Sequence, residues 1–167
     1  PMVSNALDVS GLSPELLELE ITESAVMHDP EEVISSLHEL SEHGMKLAID
    51  DFGTGYSSLS YLDRFPVDTL KVDRSFVSRL NEANQTSTIV KATLDLAHNL
   101  GFNVVAEGVE TQQQADQLKD WGCEFAQGYF YAKPLGLEAA WQFMLRNLKI
   151  TNSAKTTLVT PTSSLIL

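Results

Sequence analysis

Five short runs of apolar and β-branched residues recur along the chain, each followed by a longer stretch of helical period, and that alternation confines it to one class of fold. Leu16 to Ile21, Lys46 to Asp50, Thr69 to Val72, Asn103 to Ala106 and Glu124 to Ala126 read as strands. Between them, Glu31 to Glu42 sets Val33, Ile34, Leu37 and Leu40 on one helical face, with Gly44 placed to end the helix. Thr88 to Leu100 repeats the pattern with Ile89, Val90, Leu96, Ala97 and Leu100, then stops at Gly101. Thr111 to Trp121 and Leu137 to Leu148 add two helices, and Ser57 to Phe65 a short one. Strands alternating with helices in this way build a parallel sheet covered by helices.

Strand starts advance by a mean step of about 27 residues, so eight such units would need roughly 216, close to the size of a closed (β/α)8 barrel. The 167 residues present hold five clear units. The expected class is therefore α/β, either an open doubly wound sheet or an incomplete TIM-like barrel whose early strands are missing. Residues 1–148 read as the domain, and the Ser/Thr-rich stretch from Lys149 to Leu167 as a poorly ordered tail.

Charge narrows the partners. Eleven Lys and Arg against 23 Asp and Glu give a formal charge of −12, which repels nucleic-acid polymers and anionic membranes. The 43% of apolar residues suffices for a core but forms no run long enough to span a bilayer. The single cysteine, Cys123, excludes an internal disulfide, fits a reducing cytoplasm, and reads as a small buried hydrophobe.

In parallel α/β folds, functional side chains gather where strands hand over to loops. Each strand here delivers polar groups to that end: Glu20 and Glu23, Asp50 and Asp51, Lys71 and Asp73, Glu107 and Glu110, then Gln127. So many carboxylates around one lysine repel each other unless cations join them. With only oxygen donors, and no Cys or His at these strand ends, the pattern points to Mg2+ or Mn2+, and a pair of such ions is a known device for phosphoester hydrolysis. Gly53-Thr54-Gly55 lacks the third glycine of a dinucleotide loop, and Asp51-Phe52-Gly53 lacks the other kinase motifs, so both read as turns in a mobile loop. His28, His38, His43 and His98 fall on or beside helices, and Trp121, Trp141 and Phe143 read as core.

At those strand ends the chain resembles the EAL domain family, whose members hydrolyse cyclic di-GMP. The resemblance rests on Leu17-Glu18-Leu19-Glu20-Ile21-Thr22-Glu23-Ser24, on Ile49-Asp50-Asp51-Phe52-Gly53-Thr54-Gly55-Tyr56-Ser57-Ser58-Leu59 and on Leu70-Lys71-Val72-Asp73. Val105-Ala106-Glu107-Gly108-Val109-Glu110 and Gln127-Gly128-Tyr129 complete it in order and spacing. It implies a barrel fold in which Glu20, Asp50 and Asp51 hold two Mg2+ or Mn2+ ions. It also implies that Lys71 orients the attacking water and Glu107 is the general base, with Asp73, Glu110 and Gln127 in supporting positions. Glu23 resembles the glutamate that pins the Asp51 to Leu59 loop, which couples ligand binding to dimerisation.

The chain departs from the family in one respect. No Glu-Ala-Leu triplet occurs, Leu137-Glu138-Ala139-Ala140 lies too late to replace it, and the family's Asn ligand would precede residue 1. Pro1 to Leu16 resembles the helix and loop that lead into a third barrel strand. The expectation is a bacterial cyclic-di-GMP phosphodiesterase domain without its first part, impaired in hydrolysis and self-associating through its open edges. The alternative is a non-catalytic module that binds the nucleotide or a protein partner.

Overall fold

Parallel pairing runs in chain order. The computed structural model describes residues 2–26, 30–54, 59–80 and 85–153. Its strands β1 (Glu18–Thr22), β2 (Lys46–Phe52), β3 (Thr69–Val72), β4 (Asn103–Ala106) and β5 (Phe125–Ala126) lie side by side as β1-β2-β3-β4-β5. Between and around them run α1 (Met2–Ser10), α2 (Glu23–Val26), α3 (Pro30–Glu42), α4 (Leu59–Leu62), α5 (Arg74–Val77), α6 (Gln85–Leu100), α7 (Gln112–Asp120) and α8 (Leu137–Ser153).

Alternation along each strand divides the sheet into two unlike faces. Leu19 and Ile21, Leu47 and Ile49, Leu70 and Val72, and Val104 and Ala106 belong to one continuous core with Ile34 and Leu37 of α3, Val90, Leu94 and Ala97 of α6, and Leu118 of α7. Full burial of a Leu or Val side chain contributes about 1.5–3 kcal/mol, so this layer is what holds helices to strands. Residues of the opposite parity include Glu18, Glu20, Asp50, Thr69 and Lys71. Thr69 Oγ1 donates to Glu18 Oε2 at 3.1 Å, a polar rung below the acidic residues. At the other end of the sheet, Asp68 accepts from Leu47 N at 3.1 Å and pairs with Lys46 at 2.5 Å.

The five strands stand where the sequence puts them, with small shifts. Pro14–Leu16 turns as a 3-10 helix, so β1 begins two residues later than expected. α6 starts at Gln85 rather than Thr88. α2 and α5 are absent from the sequence reading because four residues are too few to show a period. α8 runs five residues past Leu148 into the segment expected as a tail, and residues 154–167 lie outside those described.

The aromatic expectation needs correction. Trp121 packs against the core, but Trp141 is 55% exposed and Phe143 41% exposed, because α8 carries apolar side chains that this sheet does not cover. No helix among the described residues is long and apolar enough to cross a membrane.

Candidate functional site

Four neighbouring strands converge on one ammonium group. Lys71, near the end of β3, is 3% exposed, and its Nζ lies 2.7 Å from Glu20 Oε1 on β1, 3.1 Å from Asp50 Oδ1 on β2 and 2.8 Å from Glu107 Oε1 just past β4. The strand after that adds Gln127, whose Nε2 donates to Glu107 Oε1 at 3.0 Å. Burial works to lower the Lys71 pKa, but the close carboxylates of Glu107, Glu20 and Asp50 outweigh it and hold the ammonium above the usual lysine value. Glu107 is pushed above the usual glutamate value, first by burial and then by Asp50 and Glu20, with Lys71 opposing.

The second aspartate reaches the site through an irregularity. In a regular strand, Asp50 and Asp51 would point to opposite faces. Here Ile49 pairs with Leu70 and Phe52 with Val72, so β2 carries one extra residue between those rungs. A bulge of this kind re-aims side chains. Asp51 takes φ +55°, the one non-glycine with positive φ among the described residues. Burial, then the neighbouring charges of Asp50 and Asp73, raise its pKa, while Lys71 lowers it.

Other expected site residues have structural partners. Asp73 caps α5 by accepting from Ser75 N at 3.0 Å, and despite burial that contact holds its pKa below the aspartate norm. Glu23 is 1% exposed and accepts from Gly53 N at 2.8 Å, which anchors the start of the loop after β2. Gly53 itself has φ +98°, as its turn requires, and residues 55–58 of that loop lie outside those described. Glu110 is exposed, and it is the backbone that the structure holds, through Glu110 N donating to Gln114 Oε1 at 2.8 Å. The structure thus brings together Glu20, Asp50, Lys71, Glu107 and Gln127, sets Asp51 and Asp73 within electrostatic reach, and leaves Glu23 and Glu110 to the flanking loops. His43, just past α3, sets Nδ1 against Glu39 O, and His98 of α6 lies 3.0 Å from Glu124, while His28 lies outside the described residues.

Two residues that the sequence reading passed over matter to these loops. Gln114 is 3% exposed and bonds the loop that carries Glu107 and Glu110. Its signal was available, since Thr111-x-x-Gln114 is the spacing of a capping box. Gly108 has φ +70°, and a Cβ there would stand 2.4 Å from Arg74 Cβ. Its signal was only a glycine beside two acids.

The donor set consists of carboxylate oxygens, which suit a hard divalent cation. Asp50 Oδ1 is buried and takes no aligned hydrogen bond despite its nearness to Lys71, so it keeps acceptor capacity. Among the described residues, no three acidic, Cys or His side chains are grouped as a ready cation cage, because Glu20, Asp50 and Glu107 are drawn to the ammonium instead. The chemistry of the donors fits a hard divalent cation such as Mg2+ or Mn2+.

Comparison with known proteins agrees with this architecture. The EAL domain family matches residues 2–134. Cyclic di-GMP phosphodiesterase NbdA of Pseudomonas aeruginosa is 47% identical over 142 residues, which are 85% of this chain and 18% of that protein. The structure of PaMucR phosphodiesterase in its c-di-GMP complex, from Pseudomonas aeruginosa, superposes with a TM-score of 0.80 at 43% identity, covering 83% of this chain and 56% of that one. The manganese and cy-diGMP complex of Klebsiella pneumoniae BlrP1 at pH 9.0 gives a TM-score of 0.73 at 38% identity over 80% of this chain and 34% of that one. The chain thus spans between 18% and 56% of the length of these relatives. Its five β/α units are an arc of the TIM-like barrel of such domains. By family match, sequence identity and fold, this chain belongs to the EAL domain family.

Proposed function

We propose that this chain carries the hydrolytic centre of a metal-dependent cyclic-di-GMP phosphodiesterase of bacterial second-messenger signalling. The observation that carries the reading is the meeting of Glu20, Asp50 and Glu107 at the Lys71 ammonium, in a chain whose relatives include c-di-GMP complexes. Water attacks phosphorus, the bond from phosphorus to the 3′ oxygen breaks, and the departing oxygen takes a proton to leave linear 5′-pGpG. Glu107 is the base that receives the water proton, and burial raises its affinity for that proton. Gln127 fixes the Glu107 carboxylate by donating to Oε1, and Lys71 orients the water and offsets charge that grows on the phosphoryl group. Glu20, Asp50 and Asp51 would hold Mg2+ or Mn2+, with Asp73, Glu110 and Gln127 supporting them. When bound, the ions polarise the phosphodiester and acidify the attacking water.

A second reading is binding without turnover. It is favoured by the ammonium at the centre of the carboxylates, where a ready cation cage is lacking among the described residues. Among the described residues β1 and β5 each pair on one side only, and Phe125, Tyr129 and Tyr131 are exposed around β5, which supports self-association of the chain. The experiment incubates the protein with cyclic di-GMP and Mn2+, follows 5′-pGpG by chromatography, and repeats the assay with Asp50→Asn. Hydrolysis that Asp50→Asn abolishes supports the enzyme. Calorimetric binding with no product supports the module, and light scattering reports the assembly state in both cases.

A further inference from the structure

A four-residue helix touches the loops on both sides of the acidic cluster. α5 directly follows Lys71 and Asp73, and its Phe76 ring sits where a Cβ on Gly53 would come within 2.9 Å, so it packs on the loop that Glu23 anchors. Arg74 of the same helix lies so near Gly108 that only glycine fits there, which packs α5 on the loop after β4. The third contact is polar. Gln114 of α7 donates from Nε2 to Val77 O, the last residue of α5, at 3.1 Å. Its Oε1 accepts from Glu110 N at 2.8 Å and from Thr111 N at 3.0 Å. One buried carboxamide therefore satisfies the backbone donors of Glu110 and of the α7 cap Thr111, and one carbonyl of α5.

We propose that Gln114 is a positioning residue, which holds the loop carrying Glu107 against α5 and so sets the base relative to Lys71. This rests on the phosphodiesterase reading above. A buried amide has no competing water, so its three bonds fix the loop more firmly than exposed contacts would. The loop after β4 thus gains its register from a residue that does not touch the cluster, and a small displacement of a positioned base costs on the order of 10²-fold in rate.

Gln114→Met and Gln114→Glu separate this role from mere packing. The methionine keeps length and apolar contact but loses all three bonds. The glutamate keeps an acceptor for Glu110 N and Thr111 N, and it donates to Val77 O only while its new carboxyl is protonated. Amide-exchange NMR on the full chain reads the protection of Glu110 and Thr111, and steady-state assays read kcat and KM. In Gln114→Met, protection at both amides should fall by at least about tenfold, the sign of local opening rather than global unfolding. kcat should fall by at least about tenfold with KM nearly unchanged, as for a residue that acts on transition-state geometry. In Gln114→Glu, protection and kcat, each taken as a ratio to wild type at the same pH, should both recover as pH is lowered, which a packing role would not produce. Wild-type protection at Glu110 and Thr111 in Gln114→Met overturns the proposal, as does a Gln114→Glu variant indifferent to pH. A wild-type chain that hydrolyses nothing overturns the phosphodiesterase reading alone, because amide protection still decides the role of Gln114.

Discussion

Gly53 N donates to Glu23 Oε2 at 2.8 Å, so the first residue of α2 fixes the exit of β2 thirty positions along the chain. The carboxylate is almost fully buried, and the amide it accepts belongs to a glycine with positive φ. Glu23→Ala should destabilise the fold by about 1.5–3 kcal/mol, the contribution of a hydrogen bond to a charged group. Urea titration checks this, and Glu23→Gln, which keeps an acceptor oxygen, should recover part of the loss.

Lys71 is the counter-charge for three carboxylates. Lys71→Met should lower stability by about 3 kcal/mol in EDTA, as expected when one partner of a buried ion cluster is removed. Mn2+ should restore part of it by drawing the same oxygens together, while hydrolysis falls by at least about 10². The sign of the pH dependence follows from the raised pKa of the lysine. Its stabilisation is complete below the unfolded value of about 10.4 and is lost as pH rises through the higher folded value. Alkaline melts of wild type and Lys71→Met should therefore converge.

Glu107 is pushed above the usual glutamate range, so its basic form appears later on the pH scale. The acid limb of kcat should lie above the free-glutamate value of about 4.3. Protonation of this raised carboxyl favours the fold, and that contribution is lost as pH rises past the unfolded value. Glu107→Gln should accordingly melt no lower than wild type in EDTA at neutral pH, yet lose kcat by at least about 10². A wild-type rate in that variant would remove Glu107 from the role of base.

Gly108→Ala meets two obstacles at once, a positive φ and Arg74 Cβ at 2.4 Å. Left-handed backbone costs about 1 kcal/mol for a residue with Cβ, and forced repacking adds about 1–3. Thermal melts should show a loss near 3 kcal/mol, and the double variant Arg74→Gly with Gly108→Ala should recover the steric share.

Cys123 has a thiol pushed by burial up to about 11. Its Sγ donates to Phe125 O at 3.2 Å, so the proton is held within the β5 edge. Labelling with a thiol reagent at pH 8 should be at least about 10²-fold slower in the folded chain than in denaturant, because reactivity follows the thiolate fraction.

Strand order and the acidic cluster were legible in the sequence for one shared reason. Short β-branched runs ended in charged residues, and parallel strands bring such ends to one side, which is how Glu20, Asp50, Lys71 and Glu107 meet. The bulge between Ile49 and Phe52 was not legible, since pairing register depends on β3 and leaves no mark on β2 alone. α5 was equally silent, because a single turn has no periodicity, and only its cap at Asp73 could have announced it. Trp141 and Phe143 misled for a different reason. A helical apolar stripe shows that a helix has a side to bury, not which surface will cover it.

The order β1-β2-β3-β4-β5 has a kinetic consequence. Every strand pairs with the one made just before it, so no ladder waits for a segment synthesised much later. At translation rates of about 5–20 residues per second, a β/α unit of this length takes a few seconds to emerge, longer than small elements need to form. The sheet can then grow in chain order on the ribosome, with each new helix sealing the apolar face of the strand beneath it. A pause in synthesis would leave every strand made after β1 already paired with its predecessor.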